Sequence, residues 1–158
     1  GFQGDVTNLG IIENTQGYGV TTAINGDMVN DGEIRDNPNG GSLYLDAQSD
    51  SFFNAREINN RQLKFLGGGN HFLTSPNHAI TPIVTLINEP TDTLVILSDV
   101  RFNKSEVKGY QGWGNIKTNG HKLTIDTSWG SSLNIYGNDT VFFLETPHYN
   151  TLHFIINQ

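Results

Sequence analysis

Cysteine is absent from the chain, and positive charge is scarce. Without cysteine the protein has neither a disulfide framework nor a thiolate metal site. Only 9 Lys and Arg residues stand against 16 Asp and Glu, which gives a formal net charge of -7. No Lys/Arg cluster is present to displace counterions from phosphates, so the composition argues against nucleic acid and anionic membranes as partners. No stretch is long and apolar enough to predict membrane insertion.

A sustained helical period of apolar residues is also missing, and the chain has a single Met. Charged residues make up only 16% of the chain, so its polarity comes largely from Asn, Thr, Ser and Gly. Asn and Gly accept left-handed backbone angles and Thr suits strands, so this mixture favours turns and β-structure over helix. The sequence predicts an all-β protein, and its 158 residues predict a single domain over 1–158.

Three segments near the start of the chain repeat one pattern: VTNLGIIEN, MVNDGEIRD and FFNAREINN. They align on Asn8, Asn30 and Asn54, at spacings of 30 − 8 = 22 and 54 − 30 = 24 residues. An apolar residue lies two positions before each Asn and an isoleucine lies four positions after it: Val6, Met28 and Phe52, and then Ile12, Ile34 and Ile58. A period in the low twenties is typical of one turn of a solenoid.

The repeat predicts how such a solenoid is held together. The apolar residues point inward, one above another, and the chain turns at the Asn. Stacked Asn side chains then form a structural ladder in which each amide hydrogen-bonds its equivalent in the next coil. Strands one period apart pair in parallel. The alternative is an antiparallel sandwich whose strands resemble one another by chance.

The later chain repeats less regularly. GNHFLTS and NGHKLTI share His71 and His121 at a separation of 121 − 71 = 50 residues, about two coils. That echo places both histidines at equivalent positions and predicts a turn role for them. Segments without the pattern, near 76–82 and 103–115, are predicted to leave the solenoid as loops.

The segments VTNLGIIEN, LGGGNHFLT, LVILSDVRF and TNGHKLTID resemble coils of the right-handed parallel β-helix, the pectin-lyase-like superfamily. They are most similar to the passenger and surface-adhesin members found on bacteria. The resemblance implies a single-stranded right-handed parallel β-helix, and the period predicts about seven coils. It implies a fold more strongly than a role.

No catalytic or metal motif emerges from the sequence. Stacking places Glu33 near Glu57, but Arg35 and Arg56 lie in the same patch, so a solvated charge ladder is favoured over an acid–nucleophile pair. A weak calcium possibility exists where acids gather at coil corners, at Asp27, Asp31, Asp36 and Asp50. We therefore expect no cofactor and no catalytic residue.

Two further groups of residues are candidates for binding. Aromatic residues in Gly-rich, loop-like sequence can stack on sugar rings or anchor a protein interface, or they can simply be buried: Tyr110, Trp113 and Trp129. Neither end of the chain shows a capping helix, and strand-like apolar residues lie there instead: Phe2, Val6, Phe154, Ile155 and Ile156. Such ends arise if the sequence is cut from a longer β-helix, or if neighbouring subunits stack end to end.

Together these features predict a non-enzymatic structural or adhesive protein, extracellular or on the cell surface, that self-associates into a filament or fibre. Its expected partners are copies of itself and surface glycans. A carbohydrate-active β-helix, either a polysaccharide lyase or a tailspike-like glycosidase, is the alternative. A passive glycan-binding module that uses Trp113 or Trp129 is another.

Overall fold

The computed structural model describes residues 1–82, 84–87, 90–109, 113–127, 129–137, 141–144 and 148–155, and these form β-strands and turns without any helix. All strand pairing among the named strands is parallel, and strands of successive coils stack into three sheets. The protein is therefore a parallel β-solenoid. The alternative of an antiparallel sandwich is wrong. No helix in the described part of the chain could cross a membrane.

Sheet 1 contains eight strands, one from each coil in chain order: β1 (Val6–Asn8), β4 (Met28–Asn30), β7 (Ser51–Asn54), β10 (Gly69–Thr74), β12 (Asp92–Ile96), β14 (Trp113–Lys117), β16 (Trp129–Tyr136) and β18 (His148–Ile155). Sheet 2 contains seven: β3 (Val20–Ile24), β6 (Leu43–Ala47), β9 (Gln62–Phe65), β11 (Val84–Ile87), β13 (Val100–Gly109), β15 (Leu123–Thr127) and β17 (Val141–Phe143). Sheet 3 is confined to the first three coils: β2 (Ile11–Glu13), β5 (Glu33–Arg35) and β8 (Ile58–Asn59).

The number of coils follows from these sheets. Seven strands in sheet 2 span six full turns, and the eight strands of sheet 1 span seven. The predicted count of about seven coils is close to this range. The right-handed sense of the coil stays a prediction of the family resemblance.

The core is a set of columns of inward-pointing side chains that run along the solenoid axis. Ile12, Ile34 and Ile58 are register partners, as the repeat predicts. Two bridges extend this column to Ile80 and Phe102, both fully buried. Each interior coil therefore covers the apolar side chains of its neighbours, which removes them from water without a second layer of structure.

The loop predicted near 103–115 is wrong for its described residues, because 103–109 belong to β13 and 113–115 to β14. A bulge explains the broken pattern. From Phe102 to Glu106 the β13 strand advances four positions while its partner β15 advances two, from Ile125 to Thr127. The extra residues interrupt the alternation without ending the strand.

The segment near 76–82 is only partly a loop. Pro76 to His78 form a bend, but Ile80 returns to the core column and Thr81 donates a backbone hydrogen bond to Ile58 O at 3.1 Å.

The alignment of His71 with His121 at a separation of 50 residues is wrong. His71 lies in β10 of sheet 1, whereas Leu123, two residues after His121, begins β15 of sheet 2. The two histidines are therefore not equivalent, and only His121 lies in a turn.

Candidate functional site

The Asn ladder runs through the corner between sheets 1 and 3. Asn8 Nδ2 donates to Asn30 Oδ1 at 2.8 Å, and Asn30 Nδ2 donates to Asn54 Oδ1 at 2.9 Å. Asn54 Nδ2 then donates to Ser75 Oγ at 3.0 Å, and Ser75 N donates to Ser98 Oγ at 2.9 Å. The hydrogen bonds predicted from the repeat are thus present, and the ladder continues for two coils beyond the Asn residues. Its role is structural, because it satisfies buried polar groups.

A second buried polar group lies inside the solenoid at His71, which the sequence predicts only as a turn residue. His71 is 1% exposed and Asp92 is fully buried. The ring Nδ1 contacts Ser49 O at 2.9 Å, and Nε2 contacts Asp92 Oδ1 at 2.9 Å. The carbonyl can only accept, so Nδ1 carries a hydrogen. Because the pair is enclosed in the core, no substrate reaches it, and it joins successive coils instead.

The corner acids accept backbone hydrogen bonds. Asp27 Oδ1 accepts from Ser51 N at 2.9 Å, and Asp36 Oδ1 accepts from Leu43 N at 2.6 Å and Arg61 N at 2.9 Å. In the described part of the chain no group of three or more His, Cys, Asp or Glu side chains is placed to hold a metal ion. The arrangement therefore gives no support to the calcium possibility at Asp27, Asp31 and Asp36.

The charged patch on the first coils is a network of ion pairs. Arg35 Nε contacts Glu13 Oε2 at 3.1 Å and Arg35 Nη1 contacts Glu33 Oε2 at 2.6 Å, while Arg56 Nε contacts Asp31 Oδ1 at 3.0 Å. The hydrogen bond to Glu13 raises the pKa of Arg35, and the charge of Glu33 adds to this effect. Each of these arginines neutralises a neighbouring acid, as expected of a solvated charge ladder.

The two end coils differ from the interior. The apolar residues that are only partly buried against the core all lie there: Val6, Ile12, Val141, Phe143 and Leu152. Phe2 is 43% exposed at one end and Phe154 is 55% exposed at the other. Phe154 is the register partner of buried Ile135 and packs against Phe143 with ring centroids 6.3 Å apart. Its exposure therefore comes from the open end of the core.

A groove of about 710 Å³ runs along the side of coils four to seven. One wall is the bend at 75–79. Its floor includes the register partners Arg101, Thr124 and Phe142, which stand in one outward-facing column. Sequence reasoning misses the groove because these residues are about one coil apart and meet only after stacking. We refer to this feature as the lateral groove.

The remaining candidate residues are only partly described. Tyr110 and Ile156 lie outside the described residues. Trp113 and Trp129 begin β14 and β16, but their side chains are not among those described. Ile155 ends β18 and is half-buried. The predicted glycan-binding role of the three aromatics therefore stays a prediction.

No protein-family model, curated protein sequence or solved structure matches the chain. The β-solenoid itself follows from the geometry, whereas the resemblance to pectin-lyase-like and surface-adhesin coils stays an interpretation of the sequence.

Proposed function

We propose that the protein is a non-enzymatic structural or adhesive β-solenoid that stacks end to end with further copies of itself, outside the cell or on its surface. The open end coils carry this proposal. The buried column that contains Met28 ends in the partly buried Val6 at the first coil, and the buried column that contains Ile135 ends in the exposed Phe154 at the last coil. Exposed apolar surface beside an unpaired strand edge favours association.

The direction of the strands determines the kind of assembly. All strands of sheet 1 are parallel and lie in chain order, with β1 at one edge and β18 at the other. The edge strand β18 of one copy can therefore pair in parallel with β1 of the next, and the same contact is available at each free end. Such a heterologous contact does not close on itself, so it produces a fibre rather than a ring or dimer.

The glycine at the corner of the first coil offers a test of this contact. At Gly32 an added Cβ would lie 2.1 Å from Gly10 O, in the preceding coil. At Gly10, the equivalent position of the first coil, an added Cβ meets nothing within 4 Å. If a second copy occupies that position with the same coil spacing, Gly10→Ala blocks stacking while the isolated subunit keeps its fold.

In sedimentation velocity, we expect the sedimentation coefficient of the native protein to increase with concentration as copies stack. We expect Gly10→Ala to sediment only as a monomer. Phe154→Asp tests the opposite end, with Phe72→Asp as the matched control. Phe72 is 36% exposed on the side of the solenoid rather than at its end. Loss of assembly in Phe154→Asp alone supports stacking through the ends. A native protein that remains monomeric at high concentration, or equal losses in both Phe variants, contradicts the proposal.

A further inference from the structure

The lateral groove combines an exposed aromatic ring with positive charge in a protein that is otherwise acidic. Phe142 is 47% exposed and Leu144 is 58% exposed on its wall. Lys122 Nζ lies 5.9 Å from the centroid of the Phe142 ring. Neither apolar side chain belongs to the core: Phe142 lies in the outward-facing column of β17, and Leu144 follows that strand.

Positive charge in the groove comes from Lys122, because the second cation of its lining, Arg101, is paired with Asp126. Its charged lining consists of Arg101, Lys122 and Asp99, apart from His78. Asp99 Oδ1 already accepts a hydrogen bond from Lys122 N at 2.9 Å, and Arg101 donates two hydrogen bonds to Asp126, which lies beside the groove, at 3.0 and 2.7 Å. These bonds raise the pKa of Arg101 and fix the orientation of its guanidinium. No ion pair of the Lys122 ammonium occurs among the described residues.

We propose that the lateral groove binds a sugar ring that carries a negatively charged substituent. The ring lies against the exposed Phe142 face and Leu144, where aromatic and apolar contacts favour flat, weakly hydrated faces of a ligand. The charged substituent is held near the Lys122 ammonium, which lies over the Phe142 ring. The polar side chains Thr124 and Asp99 are available to the hydroxyl groups. The groove lies on the side of the solenoid and reaches the end coil only at Phe142 and Leu144, and its ligand is tested separately from end-to-end stacking.

The charge of the ligand is tested with two probes of one backbone: a short dextran sulfate and a dextran of the same length, titrated by calorimetry. We expect dextran sulfate to bind at least about tenfold more tightly, and more weakly as salt is added, because opposite charges at a surface are screened. Equal affinity for the two probes, or no binding at millimolar concentration, overturns the proposal. An oligoglutamate that binds as tightly as dextran sulfate shows that charge alone is recognised, and overturns the sugar assignment.

The position of the site is tested with three variants. Lys122→Gln is expected to weaken dextran sulfate binding about fivefold, and Phe142→Ala to weaken both probes about fivefold, as expected when one charge or one ring contact is lost. Lys117→Gln is the matched control, because Lys117 is an exposed lysine of sheet 1 away from the groove. If Lys117→Gln lowers affinity as much as Lys122→Gln, binding is non-specific and the assignment is wrong. Thermal melts check that each variant is folded.

Discussion

The first coils and the last coils of the same solenoid are built differently. In sheet 1 the register advances by 28 − 6 = 22 and 52 − 28 = 24 residues per coil at the start, but by 135 − 116 = 19 and 154 − 135 = 19 at the end. The early coils have a third sheet and short strands of two to six residues, whereas β13, β16 and β18 have 10, 8 and 8. The late coils therefore use fewer residues per coil, and fewer of those residues lie in turns.

The two halves also differ in the groups that form the hydrogen bonds between their coils. The early coils turn sharply and satisfy their corners with side chains, as in the Asn ladder and the caps of Asp27 and Asp36. The late coils have longer runs of backbone pairing, with seven register partners between β16 and β18, and a side-chain hydrogen bond from Asn134 Nδ2 to Asn115 Oδ1 at 3.0 Å lies within their strands rather than at a corner. Side-chain hydrogen bonds require particular residues at fixed spacings, whereas backbone bonds do not. The early half is therefore more sensitive to single substitutions at its corners.

The largest effect is expected at the boundary between the halves, where Asp92 links coils four and five. Asp92 Oδ1 accepts from Gly68 N at 2.7 Å as well as contacting His71. Asp92→Ala leaves the Gly68 N–H and the His71 ring nitrogen buried without their partner, so we expect the free energy of unfolding to fall by about 3–5 kcal/mol. Urea denaturation followed by circular dichroism measures this loss. Asp92→Asn keeps one acceptor oxygen and serves as the control. A loss below about 1 kcal/mol in Asp92→Ala means that the pair is not needed to join the halves.

A comparison of one polar position in each half tests the difference directly. Asn30→Ala removes a fully buried ladder residue and leaves Asn8 Nδ2 and Asn54 Oδ1 without it, so we expect a loss of about 3 kcal/mol. Thr118, which is 1% exposed, donates to Tyr136 O at 3.1 Å beside a backbone bond to the same carbonyl at 2.9 Å. We expect Thr118→Val to cost about 1 kcal/mol. Equal losses in the two variants contradict the proposed difference.

The difference between the two halves also explains which parts of the fold could be predicted from the sequence. The repeat at Asn8, Asn30 and Asn54 is recognisable because the ladder uses the same residue in each coil, and it predicts the parallel solenoid and its period. The ladder then continues through two serine hydroxyls: Ser75 Oγ accepts from Asn54 Nδ2, and Ser98 Oγ accepts from the Ser75 backbone N–H. Ile80 and Phe102 were missed for this reason, although they lie 22 residues apart, the same spacing as Ile12 and Ile34 (34 − 12 = 22).

The candidate sites were harder to predict than the fold. Exposure of Phe154 depends on the absence of a covering coil, which local sequence does not encode. The lateral groove requires the register Arg101–Thr124–Phe142 across three coils. The misleading alignment of His71 with His121 obscured that register in the sequence. The open ends were named from the sequence because strand-like apolar residues occur at both of them.

A smaller effect is expected from glycine packing in the early half. Gly32→Ala places a Cβ 2.1 Å from Gly10 O, which is backbone and cannot rotate away. We expect a loss of about 2 kcal/mol from the resulting separation of coils one and two. Gly10→Ala is the matched control, since it occupies the same repeat position with no atom within 4 Å. It should cost no more than about 0.5 kcal/mol in the monomer. Equal melting temperatures for the two variants contradict close packing at this corner.

The smallest effect is expected from the surface arginines, one in each half. Arg35 pairs with Glu13 and Glu33, and Arg101 pairs with Asp126 through two hydrogen bonds. The raised pKa values of Arg35 and Arg101 keep both side chains charged throughout the ordinary pH range, so pH does not break the pairs by deprotonating arginine. Both arginine side chains are open to solvent, so salt screens both pairs, although the Asp126 side chain is only 12% exposed. Arg35→Gln should therefore barely change the melting temperature. Arg101→Gln should lower it slightly more, since a bidentate pair has the better geometry. The test is calorimetry at low and high salt: the difference between the variants should vanish at high salt, and a difference that persists there means that the arginines contribute through packing rather than charge.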